Sequence, residues 1–189
     1  MKGRDGACLF HFSDDGTITT FVPRPVAVPS PRAPGREWLN GPLVWAIEAA
    51  RQGLYLFPRD CPRIVIWARE DTTDEDRATY LSGARAVAYV ETCQVETLNS
   101  AHTYRYRLPR QTFIDLGDAG MWVSHDTVEP FELERLTGLP DHLVNAGVEL
   151  RPVDSLVPLK GLWSTSLHVS GVRLRHAVGW SPLGSDGLI

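Results

Sequence analysis

The residues best equipped for chemistry in this chain are arginines and histidines gathered at a few positions. The run Pro58-Arg59-Asp60-Cys61-Pro62-Arg63 sets two guanidinium groups and a carboxylate between prolines. The prolines restrict the backbone and hold Arg59, Asp60 and Arg63 in set directions at the edge of a strand. That arrangement suits a grip on a phosphate, and it equally suits an Arg59–Asp60 or Asp60–Arg63 contact that only fixes the turn. Arg105/Arg107 and Arg173/Arg175 have the two-residue spacing that puts both side chains on one face of a strand. Each pair is either a bidentate phosphate clamp or the solvated outer face of a sheet. His11 lies in the apolar run 8–13, CLFHFS, where alternation sets Leu9, His11 and Ser13 on one face. A histidine there is either a core residue with a satisfied ring nitrogen or a group that holds a ligand hydroxyl.

Several other chemistries are excluded by missing signatures. The chain has no G-x-x-x-x-G-K phosphate loop, no G-x-G-x-x-G after a strand, no G-x-S-x-G elbow and no H-E-x-x-H zinc motif. Ser124, His125 and Asp126 are contiguous, so on a strand they project to alternating faces and cannot form a relay among themselves. The six histidines show no ligand spacing, and no metal site is expected. The three cysteines, Cys8, Cys61 and Cys93, are far apart and odd in number, which argues against a disulfide framework and for small core residues.

These residues need a scaffold, and composition says that one forms. With 189 residues, 43% hydrophobic and 22% charged, the chain has the apolar content of a single folded domain over 1–189. A net charge of −4 does not drive it onto nucleic acid. No apolar run is long enough to span a bilayer and no apolar stretch follows Lys2 and Arg4, so a cytoplasmic protein is expected.

Periodicity predicts strands at 8–13, 43–47, 63–68, 84–92, 103–109 and 121–125, an extended stretch at 148–153, and a last strand at 167–177 bent at Gly171. Helices are expected at 48–57, at 73–81 behind a Thr73 cap, at 140–146 and at 156–164. The apolar run RIVIWA suits a central strand buried on both faces. The proline-dense segment 23–42 reads as a long loop acting as a lid. The expected class is α+β, with a mixed, largely antiparallel sheet split around a cleft and short helices.

The order FHFS, a loop, then LVWAI running into a helix resembles the opening of the ADP-ribosyltransferase superfamily, which includes the RNA 2′-phosphotransferases. FHFS, LVWAI, LFPRDCPR and TYRYRLP together are similar to a small uncharacterised bacterial family described only as a domain of unknown function, a likeness that covers nearly the whole chain. The first resemblance implies an ADP-ribosyltransferase-like fold, NAD as cofactor, and an NAD-using transferase or hydrolase with an RNA or protein acceptor. Carried over residue by residue, His11 takes the ribose, Ser13 assists, Trp45 or Tyr55 stacks on nicotinamide, and Arg59 or Arg63 takes the phosphates. An aromatic face suits a flat cationic ring, and an imidazole can bond a hydroxyl. The family's glutamate opens a late strand and stabilises an oxocarbenium-like transition state. The corresponding strand here, 120–123, has no acid at its start; Asp118 and Glu129 flank it, and Glu129 is the acid assigned beside His11 in catalysis. Two alternatives stand: a non-catalytic module that binds a nucleotide-like or phosphate-bearing ligand, and an RNA 2′-phosphotransferase-like enzyme that grips phosphate through Arg59, Arg63, Arg105 and Arg107.

Overall fold

In the computed structural model residues 8–181 are described. The described strands are, in chain order, β1 Cys8–Ser13, β2 Val44–Ile47, β3 Arg63–Trp67, β4 Ala86–Glu91, β5 His102–Pro109, β6 Ile114–Asp115, β7 Met121–Ser124, β8 Glu132–Thr137, β9 Val148–Val153 and β10 His168–Val172. The α-helices are short: α1 Asp74–Asp76, α2 Val95–Ser100 and α3 Leu139–Asn145. The class is α+β, as expected. No helix among the described residues is long and apolar enough to cross a membrane. Contacts divide the described residues into two compact units, one holding 8–52 with Thr103–Leu136, the other holding Gly53–His102 with 137–181.

The first unit is built on a six-stranded sheet in the order β6-β7-β2-β1-β5-β8. Phe10 stands opposite Ile47 on β2, and His11 stands opposite Tyr106 on β5. Because facing residues share a side of the sheet, one face carries Leu9, Val44, Ala46, Tyr106, Leu108 and Trp122, packed against Phe21 and Val128. The other face carries Trp45, Met121 and Val123, covered by Leu39, Leu43 and Leu116. Arg105 and Arg107 stand opposite Phe12 and Phe10 on that second face, and their guanidinium groups lie 5.1 and 5.9 Å from the Phe10 ring.

Segment 23–42 is held down along its length. Arg24 pairs with Leu43, Val26 donates to the Asn40 carbonyl, and a 3-10 turn forms at Glu37–Asn40. Asn40 binds the Ser30 backbone and Arg32, while Arg36 donates to the Leu116 carbonyl at 3.2 Å. Leu39 is buried in the cluster beside Trp45. Leu39, the one buried side chain of segment 23–42, ties the segment to the Trp45 face, while most of its other residues are exposed.

The second unit has a four-stranded sheet, β10-β3-β4-β9, in which β4 and β9 run parallel and the other pairs antiparallel. Every residue of β3 is buried and the strand is interior, as the RIVIWA run predicts. The Thr73 hydroxyl accepts from the Asp76 N–H, confirming the cap, but the helix it opens widens into a π-turn at Arg77–Leu81. Segments 48–57 and 156–164 form 3-10 rather than α-helix, at Ala49–Tyr55 and Val157–Ser164. The final strand is also shorter than expected: it stops at Val172, Arg173 turns with a φ of 57°, and Leu174–His176 forms a 3-10 turn. Gly171 makes the bend possible, since a Cβ there would collide with Leu174 and Trp163.

Arg63 anchors the entry to β3. It is 3% exposed, its Nε and Nη2 donate to the Leu54 carbonyl at 2.9 and 2.7 Å, and its Nη1 donates to the Cys61 carbonyl at 2.9 Å. Its guanidinium lies 4.7 Å from the Phe57 ring centroid. Burial draws its pKa down to about 10, which leaves it cationic at neutral pH. Methionine at this position would keep the packing stem and strip both buried carbonyls of their donor, so Arg63→Met is expected to lower unfolding stability by about 2–4 kcal/mol. Urea denaturation followed by tryptophan fluorescence measures this, and an unchanged midpoint would show that the carbonyls find other donors.

Candidate functional site

The residues assigned to an NAD cradle are distributed between the units. His11, Ser13, Trp45 and Glu129 belong to the first, and Tyr55, Arg59 and Arg63 to the second. Within the first unit, strand alternation separates the two rings on which the cradle was built. His11 shares its face with Tyr106 and packs against Phe21, ring centroids 4.6 Å apart, whereas Trp45 lies opposite Val123 on the other face. A side-chain-to-backbone bond links the two residues: His11 donates from Nδ1 to the Trp45 carbonyl at 2.8 Å. The expectation that His11 and Trp45 grip one ligand is therefore corrected by the period of the strand.

Ser13 closes a turn. It is 8% exposed, and its hydroxyl accepts from the Asp15 N–H while its carbonyl accepts from the Thr103 hydroxyl. Glu129 is exposed and follows Val128, whose backbone pairs with Phe21 at 2.8 and 2.9 Å. The Phe21 ring in turn packs on His11, so Phe21 touches His11 through its side chain and the residue before Glu129 through its backbone.

In the second unit, the Arg63 guanidinium is bonded to the backbone carbonyls of Leu54 and Cys61. Asp60 of the same turn pairs with neither Arg59 nor Arg63. It lies 3.8 Å from His176 Nε2 and 4.0 Å from Arg173 Nε, and Arg173 also donates to the Arg59 carbonyl at 3.2 Å. Arg173 and Arg175 do not share a strand face, since both follow the end of β10. Arg105 and Arg107 do share one, but they are bound to Glu134 at 2.6 Å and Glu132 at 3.0 Å on the neighbouring strand β8. Burial pushes the Tyr55 phenol up against the opposing influence of the Arg63 and Arg173 charges. Ser124 bonds Thr112 and accepts from the Asp126 N–H, while His125 stacks on Trp38; no relay forms among the three.

The structure assembles a different site, at one end of the first sheet. The start of β1, the end of β2, the end of β5 and the start of β7 lie together there, because Cys8 pairs with Pro109 and Ile47 with Met121. A cavity of about 180 Å³ opens at this end, lined by Cys8, Leu9, Glu48, Ala49, Ala50, Arg110 and Trp122. Trp122 is 7% exposed, and its indole Nε1 is buried without a hydrogen-bond partner. The exposed Arg110 guanidinium lies 4.0 Å from the Trp122 ring centroid, closing over the indole. Gly120 permits the wall to form: at a φ of 69° it sits so close to Glu48 and Arg51 that a Cβ would meet their Cγ atoms at 2.6 and 2.7 Å. The site therefore offers a cation, a carboxylate and an aromatic wall around a small volume.

A model of a family of unknown function, DUF6886, matches residues 10–177. The chain belongs to that family. No curated protein and no solved structure matches it. The DUF6886 match runs from within β1 to the turn after β10, and so takes in both sheets and the cavity wall apart from Cys8 and Leu9.

Sequence reasoning passed over this site because its residues form no motif. Arg110 and Trp122 lie in different strand-end segments, and only the antiparallel order of β7, β2, β1 and β5 collects them.

The Pro58–Arg63 turn gives a pH test. Burial raises the Cys61 thiol from 9.0 to about 11, the Cys93 and Glu91 charges adding to the effect and that of Arg63 opposing it. From pH 9 upward the unfolded thiol loses its proton before the folded one, so the unfolded state binds fewer protons and stability falls as pH rises. The loss spread between pH 9 and 11 is on the order of 3 kcal/mol. Cys61→Ala should remove part of the slope measured by denaturant unfolding across that window, and an identical slope in the variant would contradict the assignment.

Proposed function

We propose that this protein is a binding module for a small phosphate- or carboxylate-bearing ligand, held at the cavity between Arg110, Glu48 and Trp122. The observation that carries this reading is the buried, unpartnered Trp122 Nε1 beneath the Arg110 guanidinium, at the wall of a cavity. A buried donor without an acceptor costs free energy, and an anion drawn to Arg110 supplies one as the guanidinium lifts from the ring. Glu48 then accepts from a hydroxyl or amine on the same ligand. At about 180 Å³ the cavity is smaller than the roughly 300–1,000 Å³ of pockets that enclose a whole cofactor, so it takes one end of a nucleotide-like molecule.

Calorimetric titration with inorganic phosphate, a nucleoside monophosphate, ADP-ribose and NAD tests this. Binding of at least one is expected, weakened roughly tenfold or more in Arg110→Ala. Equal affinity in the variant, or no binding by any of the four, overturns the reading.

A second reading, the NAD-using ADP-ribosyltransferase-like enzyme with an RNA or protein acceptor, has one observation in its favour: Phe21 touches both His11 and the residue before Glu129. It predicts slow release of nicotinamide from NAD by the purified protein, abolished by Glu129→Gln. Turnover unaffected by that change would remove it.

A further inference from the structure

Two opposite charges line the cavity at the end of the first sheet without pairing with one another. Arg110 rests on the Trp122 ring, 4.0 Å from its centroid, and its guanidinium makes no hydrogen bond or ion pair with a described residue. Glu48 is half-buried, and its carboxylate likewise has no hydrogen-bond or ion-pair partner among the described residues. The Glu48 side chain is nevertheless held in place. A Cβ on Gly120 would lie 2.6 and 2.9 Å from its Cγ and Cδ, so the stem packs on the Gly120 backbone, and the Glu48 N–H donates to the Gly120 carbonyl at 2.9 Å. The third polar group of the wall, Trp122 Nε1, is buried without an acceptor in a residue 7% exposed. A ligand that fills so small a volume meets a cation, an indole donor and a carboxylate together.

We propose that the ligand end held in this cavity is zwitterionic: a primary ammonium on Glu48 and, a few bonds away, a phosphate or carboxylate on Arg110 and Trp122 Nε1. The charges of Arg110 and Glu48 sum to zero. An anion alone satisfies Arg110 and the indole but brings its charge up to the Glu48 carboxylate, and like charges so placed repel. An ammonium beside the anion satisfies all three groups and matches the neutral sum. A hydroxyl also donates to a carboxylate, but a charged donor makes a bond roughly twice as strong. Given the anion site proposed above, on which this rests, the ligands selected are amino-bearing anions, either aminoalkyl phosphates or small amino acids. Inorganic phosphate and nucleotides with no amine near their phosphate engage the Arg110 side alone and bind more weakly.

The test is calorimetric titration of the full chain with two matched series: ethyl phosphate, ethylene glycol phosphate and phosphoethanolamine, and acetate, glycolate and glycine. Within a series the members differ only in carrying no donor, a hydroxyl or an ammonium. In at least one series the amino member is expected to bind about tenfold or more tighter than both of its counterparts. The series that shows the gain identifies the anion. Glu48→Gln keeps the size of the side chain and removes its charge, and should bring the ratio to within about twofold. Because the wild-type ratios decide the matter, a poorly folded variant does not rescue the proposal. No amine gain in either series, or a gain that survives Glu48→Gln, overturns it. Arg110-dependent binding of ethyl phosphate with no amine gain does so while leaving the anion site standing, whereas binding of no member, nor of inorganic phosphate, removes both.

Discussion

The two-residue period of β1, β2 and β5 divides the polar chemistry of the first unit between two faces of one sheet. His11 must look the same way as Leu9, Ala46 and Tyr106, because it stands opposite Tyr106 and in alternation with Leu9. Trp45 must look the other way, toward Leu39, Leu43 and Val123. No side-chain rotation crosses a hydrogen-bonded sheet, so a ligand on one face is hidden from the other. The same constraint pairs Arg105 and Arg107 with Phe10 and then with Glu134 and Glu132, making them part of the sheet's own polar surface. Only at the strand ends, where the ladder stops, do side chains from four strands come into reach of a common volume.

The second unit shows how a charged residue becomes structural. Arg63 has more donors than any neighbour could use, and the chain turns two carbonyls toward it, Leu54 and Cys61, on either side of the Pro58 bend. A planar guanidinium against Phe57 is desolvated at lower cost than an ammonium would be, which suits arginine to this position. The exposed end of the same turn is tied by Asp60 to Arg173 and His176, so that the start of β3 and the segment after β10 hold one another in place.

Much of the scaffold was legible in the amino-acid order. Buried strands such as RIVIWA declare themselves by continuous β-branched and aromatic residues, and β1 and β7 by their short apolar runs between turn residues. β8, ELERLT, did not, since an edge strand with charges on both faces has the composition of a loop. Helix α2, VETLNS, was hidden for a similar reason, having one buried side chain, Leu98, to give it a period. The Pro58–Arg63 turn was recognised as special, but whether its arginine faced in or out depended on the Leu54 carbonyl nine residues upstream, which no local pattern reveals. The cavity was least legible of all, since its lining comes from four strand ends that share no spacing.

The parallel pairing of β4 with β9 has a consequence for how the chain is made. Ala86 pairs with Val148, and the strands β5 to β8 of the other sheet are all threaded between them. On a ribosome β4 emerges with one side of its ladder unfilled, and its partner is not synthesised until the whole intervening sheet has appeared. Such distant pairing slows folding, because the intervening chain must be closed into a loop before any contact rewards it. The inserted strands, paired among themselves and with β1 and β2, shorten that loop as they fold. The order of synthesis thus favours completion of the first sheet before β9 closes the second.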